Sequence, residues 1–237
     1  MEIWRNFTEI AKYRRANKYD YNWVAENWMG PNPLYLTEEL CENMTLRPGM
    51  KVLDMGCGKG CSSVFLAKEF GVTVFATDLW IKPTENLRRF EAAGVADRVF
   101  PVHADVNALP YAEGFFDAVV SVSSLQYYGT SDAFFPDILS KQVKPGGEIG
   151  VVINGHIRED GVPCENDGGA NGFHSGKWWR NHWEKTGLAE ITACYDFENP
   201  KAADEGQFIT EGFNASNYAL IVMAAKVKSA QAHFEHQ

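Results

Sequence analysis

The stretch VLDMGCGKG, residues 52–60, carries an apolar run into three glycines within five positions, with one acid, Asp54, inside the run. The segment CSSVFLAKEF follows at 61–70 and reads as a helix closed by Gly71. A buried strand, a glycine turn and a helix in that order form the unit that brings backbone N–H groups and a helix N-terminus close to a ligand. A Walker loop is excluded, because Gly60 follows Lys59 where that motif needs Ser or Thr for magnesium. A dinucleotide fingerprint beginning at Gly56 and Gly58 would need a small third residue where Cys61 stands. Asp54 is the stronger objection. A carboxylate two residues before the first glycine raises the negative potential where a pyrophosphate needs it lowered. The turn therefore suits a cationic nucleoside.

On either side of this unit the pattern is alternating. KVLDM (51–55) is a strand, VTVFATD (72–78) a second, and PTENLRRFEAAG (83–94) a helix opened by Pro83 and closed by Gly94. RVFPVHAD (98–105), FFDAVVSVSS (115–124), a helix over about 132–143, the turn KPGG and the strand EIGVVIN (148–154) continue the series. Apolar strands separated by helices of about ten residues imply a parallel sheet covered on both faces. Before this core, residues 1–16 read as an amphipathic helix with Ile3, Trp4, Phe7 and Ile10 on its apolar side, and a second helix runs from Pro33 to Met44 with Thr37 as an internal cap. After it, residues 155–175 break the alternation with five glycines, as a long functional loop does. The helix GKWWRNHWEKTG (176–187) and the strands AEITACYDF and SNYALIVMAAKV close the chain, the two strands pairing antiparallel at the sheet edge. This gives one domain with four parts: a helical cap at 1–46, a nucleoside-binding core at 47–154, a candidate lid at 155–180 and C-terminal strands at 181–228.

Composition narrows the partners. With 31 acidic against 22 basic residues the formal charge is −9, so the counterion release that drives nucleic-acid binding has no source. No stretch approaches the eighteen or so apolar residues of a membrane span, and the N-terminus lacks a signal-peptide layout. A soluble, cytoplasmic protein is expected. The five cysteines show no C-x-x-C and no zinc spacing with histidine, so reduced thiols and no metal site are expected.

S-adenosylmethionine answers the question that Asp54 poses, since it has no phosphate and carries a sulfonium and an ammonium. Residues 51–154 resemble the core of a class I S-adenosylmethionine-dependent methyltransferase, whose first motif is an acid followed by G-x-G-x-G, here Asp54, Gly56, Gly58 and Gly60. The resemblance implies a Rossmann-like α/β/α sandwich with a seven-stranded, mostly parallel sheet whose last strand is antiparallel. It also implies that Asp78, 24 residues after Asp54, receives the ribose hydroxyls with Leu79 beside it, that Asp105 and Val106 flank the adenine, and that Ser121 belongs to the same site. S-adenosylhomocysteine would be the product.

Methyl transfer is an in-line displacement that needs alignment and exclusion of water more than a dedicated base. Tyr127, just past the fourth strand, and the histidines His156 and His174 that bracket the long loop are the candidates for the acceptor side. Trp178, Trp179 and Trp183, with Tyr19, Tyr21, Trp23 and Trp28, either pack the helices onto the sheet or surround a small-molecule acceptor that is apolar or cationic. Two alternatives share these motifs: a cyclopropane-forming or carbon-methylating enzyme acting on a lipid, and a non-catalytic module that binds the nucleoside.

Overall fold

The computed structural model describes residues 10–158, 172–198 and 218–228. Seven strands, β1 (Lys51–Met55), β2 (Thr73–Asp78), β3 (Val99–His103), β4 (Phe116–Val122), β5 (Val143–His156), β6 (Ala189–Asp196) and β7 (Tyr218–Val227), form one sheet in the order β3-β2-β1-β4-β5-β7-β6. Strands β1 to β5 are parallel to one another, and β7 inserts antiparallel between β5 and β6. The expected sheet, its antiparallel last strand and the antiparallel closing pair are all present.

Residues that alternate along each strand divide between two cores. Val52, Val74, Val120, Val152 and Val222 face one side with α2 (Pro33–Cys41), α3 (Cys61–Phe70) and α4 (Pro83–Ala92), while Leu53, Phe75, Val119, Val151 and Ile221 face the other. The second core is closed by α6 (Gly176–Glu184) and by a wide turn, Phe135–Leu139, that runs into α5 (Ser140–Gln142). No helix among the described residues is long and apolar enough to cross a membrane.

Three expectations change. Residues 10–15 are turns leading to a 3-10 turn at Ala16–Lys18, and the first α-helix among the described residues is α1 (Tyr21–Asn27). The backbone N–H groups of Arg15 and Ala16 donate to the Glu38 carboxylate at 3.1 and 2.7 Å, a distant partner that replaces helical bonding. Ile3, Trp4 and Phe7 lie outside the described residues. The cap of α2 is Asn32, whose side chain accepts from Leu34 and Tyr35, whereas the Thr37 hydroxyl donates back to the Pro33 carbonyl. The expected 132–143 helix is present as a continuous helical run over 134–142, but it is wound with a wide π-type turn at Phe135–Leu139 before it passes into α5. Most of the 155–175 loop, and with it Cys164, also falls outside the described residues.

Candidate functional site

The glycine turn is held from three sides. Gly56 and Cys57 donate their N–H groups to the Thr77 carbonyl at 2.8 and 3.2 Å, which fastens the end of β1 to the end of β2. Asp78 continues the tie: one carboxylate oxygen accepts the Gly58 N–H at 2.8 Å, and the other accepts those of Trp80 and Ile81 at 2.7 and 2.8 Å. Asn86 of α4 then donates to the Gly58 carbonyl at 2.8 Å. Gly56 has φ +72°, and a Cβ there would overlap the Ser124 hydroxyl; Gly58 has φ +55°, and a Cβ there would lie 3.1 Å from the Met29 sulfur. Only glycine meets both demands.

These ties frame a cavity of about 310 Å³ at the C-terminal ends of β1, β2 and β4, where open parallel sheets bind ligands. Gly56, Gly58, Asp78 and Leu79 form one wall, and Asp105 and Val106 extend it. Ser123, Ser124, Tyr127 and Tyr128 form the opposite wall, while Asn27, Met29 and Pro33 reach over from the N-terminal segment. Met29, Leu79, Trp80 and Tyr127 are 40, 50, 71 and 50% exposed, and the Trp80 and Tyr127 rings meet at 5.9 Å between centroids. Two carboxylates line the space, and Lys59 is the sole Lys or Arg on its wall among the described residues; its ammonium is bonded to the Glu26 carbonyl at 3.0 Å.

The family model described as a methyltransferase domain matches residues 52–147, the part of the chain that builds most of this wall. Residues 52–147 thus carry a methyltransferase domain. The chain is 29% identical over 165 residues to phosphoethanolamine N-methyltransferase 1 of Triticum aestivum, covering 68% of this chain and 32% of that protein. It is 38% identical over 151 residues to 2-methyl-6-phytyl-1,4-hydroquinone methyltransferase of a Synechocystis strain, covering 64 and 42%. Among solved structures, Haemonchus contortus phosphoethanolamine N-methyltransferase 2, in complex with phosphomonomethylethanolamine and S-adenosylhomocysteine, superposes with a TM-score of 0.68 over 95% of this chain and 60% of that one, at 19% identity. The chain thus spans about a third of the length of the first of these curated relatives and about two fifths of the second.

Within the methyltransferase domain, six of the nine nucleoside-site candidates line the cavity: Gly56, Gly58, Asp78, Leu79, Asp105 and Val106. Three do not. Asp54 is fully buried behind the turn, where one oxygen accepts the hydroxyls of Ser62 and Ser63 at 2.6 and 2.5 Å, and its other oxygen is buried without a hydrogen-bond partner. Burial pushes its carboxyl up to about 6, against the pull of the two serine hydroxyls and with a smaller push from Asp78. Asp54 thus steadies the start of α3 from below, and the carboxylates that face the cavity are Asp78 and Asp105. Gly60 packs against the Phe90 ring, and Ser121, also fully buried, lies 3.4 Å from the Tyr128 hydroxyl.

On the acceptor side Tyr127 lines the cavity, and His156 and His174 do not. Strand β5 runs on to His156, which pairs with Tyr218 of β7 and donates its N–H to the His174 carbonyl at 3.3 Å. The His174 ring stacks on Trp178 at 3.7 Å. The extra turn of strand therefore carries both histidines past the cavity rim. None of Trp178, Trp179, Trp183, Tyr19, Tyr21, Trp23 or Trp28 lines the cavity either; Trp179 and Trp183 are buried in the second core. The aromatic wall is made instead by Trp80, Tyr127 and Tyr128. Tyr128 is a wall residue whose hydroxyl is 2.8 Å from that of Ser124, and burial pushes its phenol up to about 12, so it stays protonated at neutral pH. Asn27 and Met29 lie some thirty residues before the glycine turn and carry no motif, so nothing in the sequence marks them as site residues.

Proposed function

We propose that this chain binds S-adenosylmethionine in the cavity and transfers its methyl group to a small-molecule acceptor with an apolar body. The observation that carries the reading is the charge of the wall: the carboxylates of Asp78 and Asp105 beside a three-glycine turn, with the nearby ammonium of Lys59 engaged elsewhere. Such a wall favours a cationic nucleoside over a phosphorylated one. When bound, S-adenosylmethionine would supply a methyl on a sulfonium, and an in-line attack on that carbon breaks its bond to sulfur and leaves S-adenosylhomocysteine.

The chain's own residues do the rest. Asp78 has three backbone donors on its two oxygens, and a carboxylate offers about four acceptor sites, which leaves room for a ribose hydroxyl. Leu79 and Val106 supply apolar faces for a base, and the orphaned oxygen of buried Asp54 adds negative potential beneath the turn. Trp80 and Tyr127, whose rings meet at 5.9 Å on the wall, offer aromatic faces to the acceptor. No base is required of the protein where the acceptor arrives with a free electron pair. The exposed side chains of Met29, Leu79, Trp80 and Tyr127 match an acceptor of the hydroquinone kind named for the Synechocystis relative better than a phosphorylated amine, for which the described wall holds no uncommitted cation.

Titration calorimetry tests the reading. S-adenosylhomocysteine binds the wild-type chain, and Asp78→Asn weakens it by roughly 1–3 kcal/mol, the effect of losing a charge-assisted hydrogen bond in a buried site. Uptake of NAD or ATP with none of S-adenosylmethionine overturns it.

A further inference from the structure

Ser123 is the one residue other than glycine with a positive φ among the described residues, at +55°. L-residues other than Asn and Asp enter this region rarely, and such outliers persist where surrounding contacts impose them. Here three contacts do so. The Ser123 N–H donates to the Val152 carbonyl of β5 at 2.8 Å, its carbonyl accepts from the Gln126 side chain at 3.0 Å, and its hydroxyl donates to the Asn154 side-chain oxygen at 3.4 Å. Asn154 is itself 3% exposed, and its oxygen also accepts from the Tyr218 hydroxyl at 3.4 Å.

The strained residue sits on the cavity wall, next to Ser124 and Tyr127. Ser124 has its hydroxyl engaged with Tyr128, whereas the Ser123 hydroxyl, a donor to the buried Asn154 side-chain oxygen, keeps its acceptor capacity on a residue that lines the cavity. Glycine would hold the same φ at no steric cost, so backbone geometry alone gives no reason for a serine here. We propose that the Ser123 hydroxyl, aimed by Asn154 and Tyr218, accepts a hydrogen bond from the methyl acceptor, which is therefore a protic molecule carrying O–H or N–H near the reacting atom. The inference rests on the cofactor reading above and adds the chemical class of the acceptor and the residue that orients it.

The test compares wild type with Ser123→Gly and Ser123→Ala. Initial rates are measured with S-adenosylmethionine and methylhydroquinone, 4-hydroxybenzoate or ethanolamine as probes, alongside S-adenosylhomocysteine binding and thermal midpoints. For the probe that wild type turns over fastest, both variants lose roughly tenfold in kcat/KM, mostly through KM, as expected for one hydrogen bond to a neutral partner. S-adenosylhomocysteine affinity stays at the wild-type value, and Ser123→Gly melts no lower than wild type. Wild-type kcat/KM in Ser123→Gly overturns the inference, because glycine supplies the backbone without the hydroxyl. Binding of S-adenosylhomocysteine by wild type with no turnover of any probe also overturns it and leaves the cofactor reading standing. Absence of that binding overturns the cofactor reading, and this inference falls with it.

Discussion

Asp54 shows that spacing along the chain leaves a side chain's depth open. Its position before the glycines marks the site, but sequence spacing does not reveal depth, and the side chain lies behind the turn with Ser62 and Ser63. Its burial has a measurable consequence. A carboxyl raised to about 6 in the folded chain, against 3.8 when exposed, binds its proton more tightly in the native state. The stability it confers is therefore complete below about pH 3.8 and is lost as the pH rises to about 6, a change of about 3 kcal/mol by proton linkage. Asp54→Asn cannot titrate and keeps an oxygen for the serine hydroxyls. The stability of wild type relative to Asp54→Asn should accordingly fall by roughly 2 kcal/mol between pH 4 and pH 6.5 in urea melts followed by circular dichroism. A pH-independent difference between the two would show that Asp54 titrates normally.

Elements with a strong local pattern were legible: β1, α3, β2 and α4 occupy the expected residues because each has a buried apolar run and its own stop or start, Gly71 after α3 and Pro83 at the head of α4. The N-terminal segment was not, because its conformation is set by Glu38 and Glu39 of α2, more than twenty residues away. The cavity roof depends on the same kind of remote contact. Arg89 of α4 donates to the side chain of Asn27 at the end of α1 and to that of Asn86, both at 3.0 Å, while Asn86 holds the Gly58 carbonyl. One arginine thus couples α1, α4 and the glycine turn, although it does not line the cavity. Arg89→Met keeps the aliphatic stem and removes the fork. It should lower S-adenosylhomocysteine affinity about fivefold, close to 1 kcal/mol for hydrogen bonds of this kind, and speed amide exchange over residues 21–27. Unchanged exchange there would mean that α1 is held by its apolar packing alone.

Across the whole molecule, the two faces of the sheet do different work. The face bearing α6 is a packed core in which Trp179 and Trp183 are buried, with the Phe135 and Trp183 rings 4.7 Å apart. The other face carries the N-terminal strap, which crosses α2 and reaches the far strand of the sheet through Glu39. That carboxylate accepts from the Tyr13 hydroxyl at 2.8 Å and the Tyr195 hydroxyl of β6 at 3.0 Å, and pairs with Lys12 at 2.6 Å. Burial alone would raise its pKa, but the hydrogen bonds from Lys12, Tyr13 and Tyr195 hold it below the usual value of 4.5. A lowered carboxyl contributes stability that is present above pH 4.5 and is lost as the pH falls through its folded value. Glu39→Gln keeps the shape and removes the charge, so at pH 7 it should cost about 1–3 kcal/mol in urea unfolding, and the deficit should shrink in acid as wild type loses the same charge. Because the strap leads through α1 to Asn27 and Met29 over the cavity, the variant should also bind S-adenosylhomocysteine more weakly at pH 7. Full stability combined with full affinity would sever the proposed link between the sheet's far edge and the roof of the site.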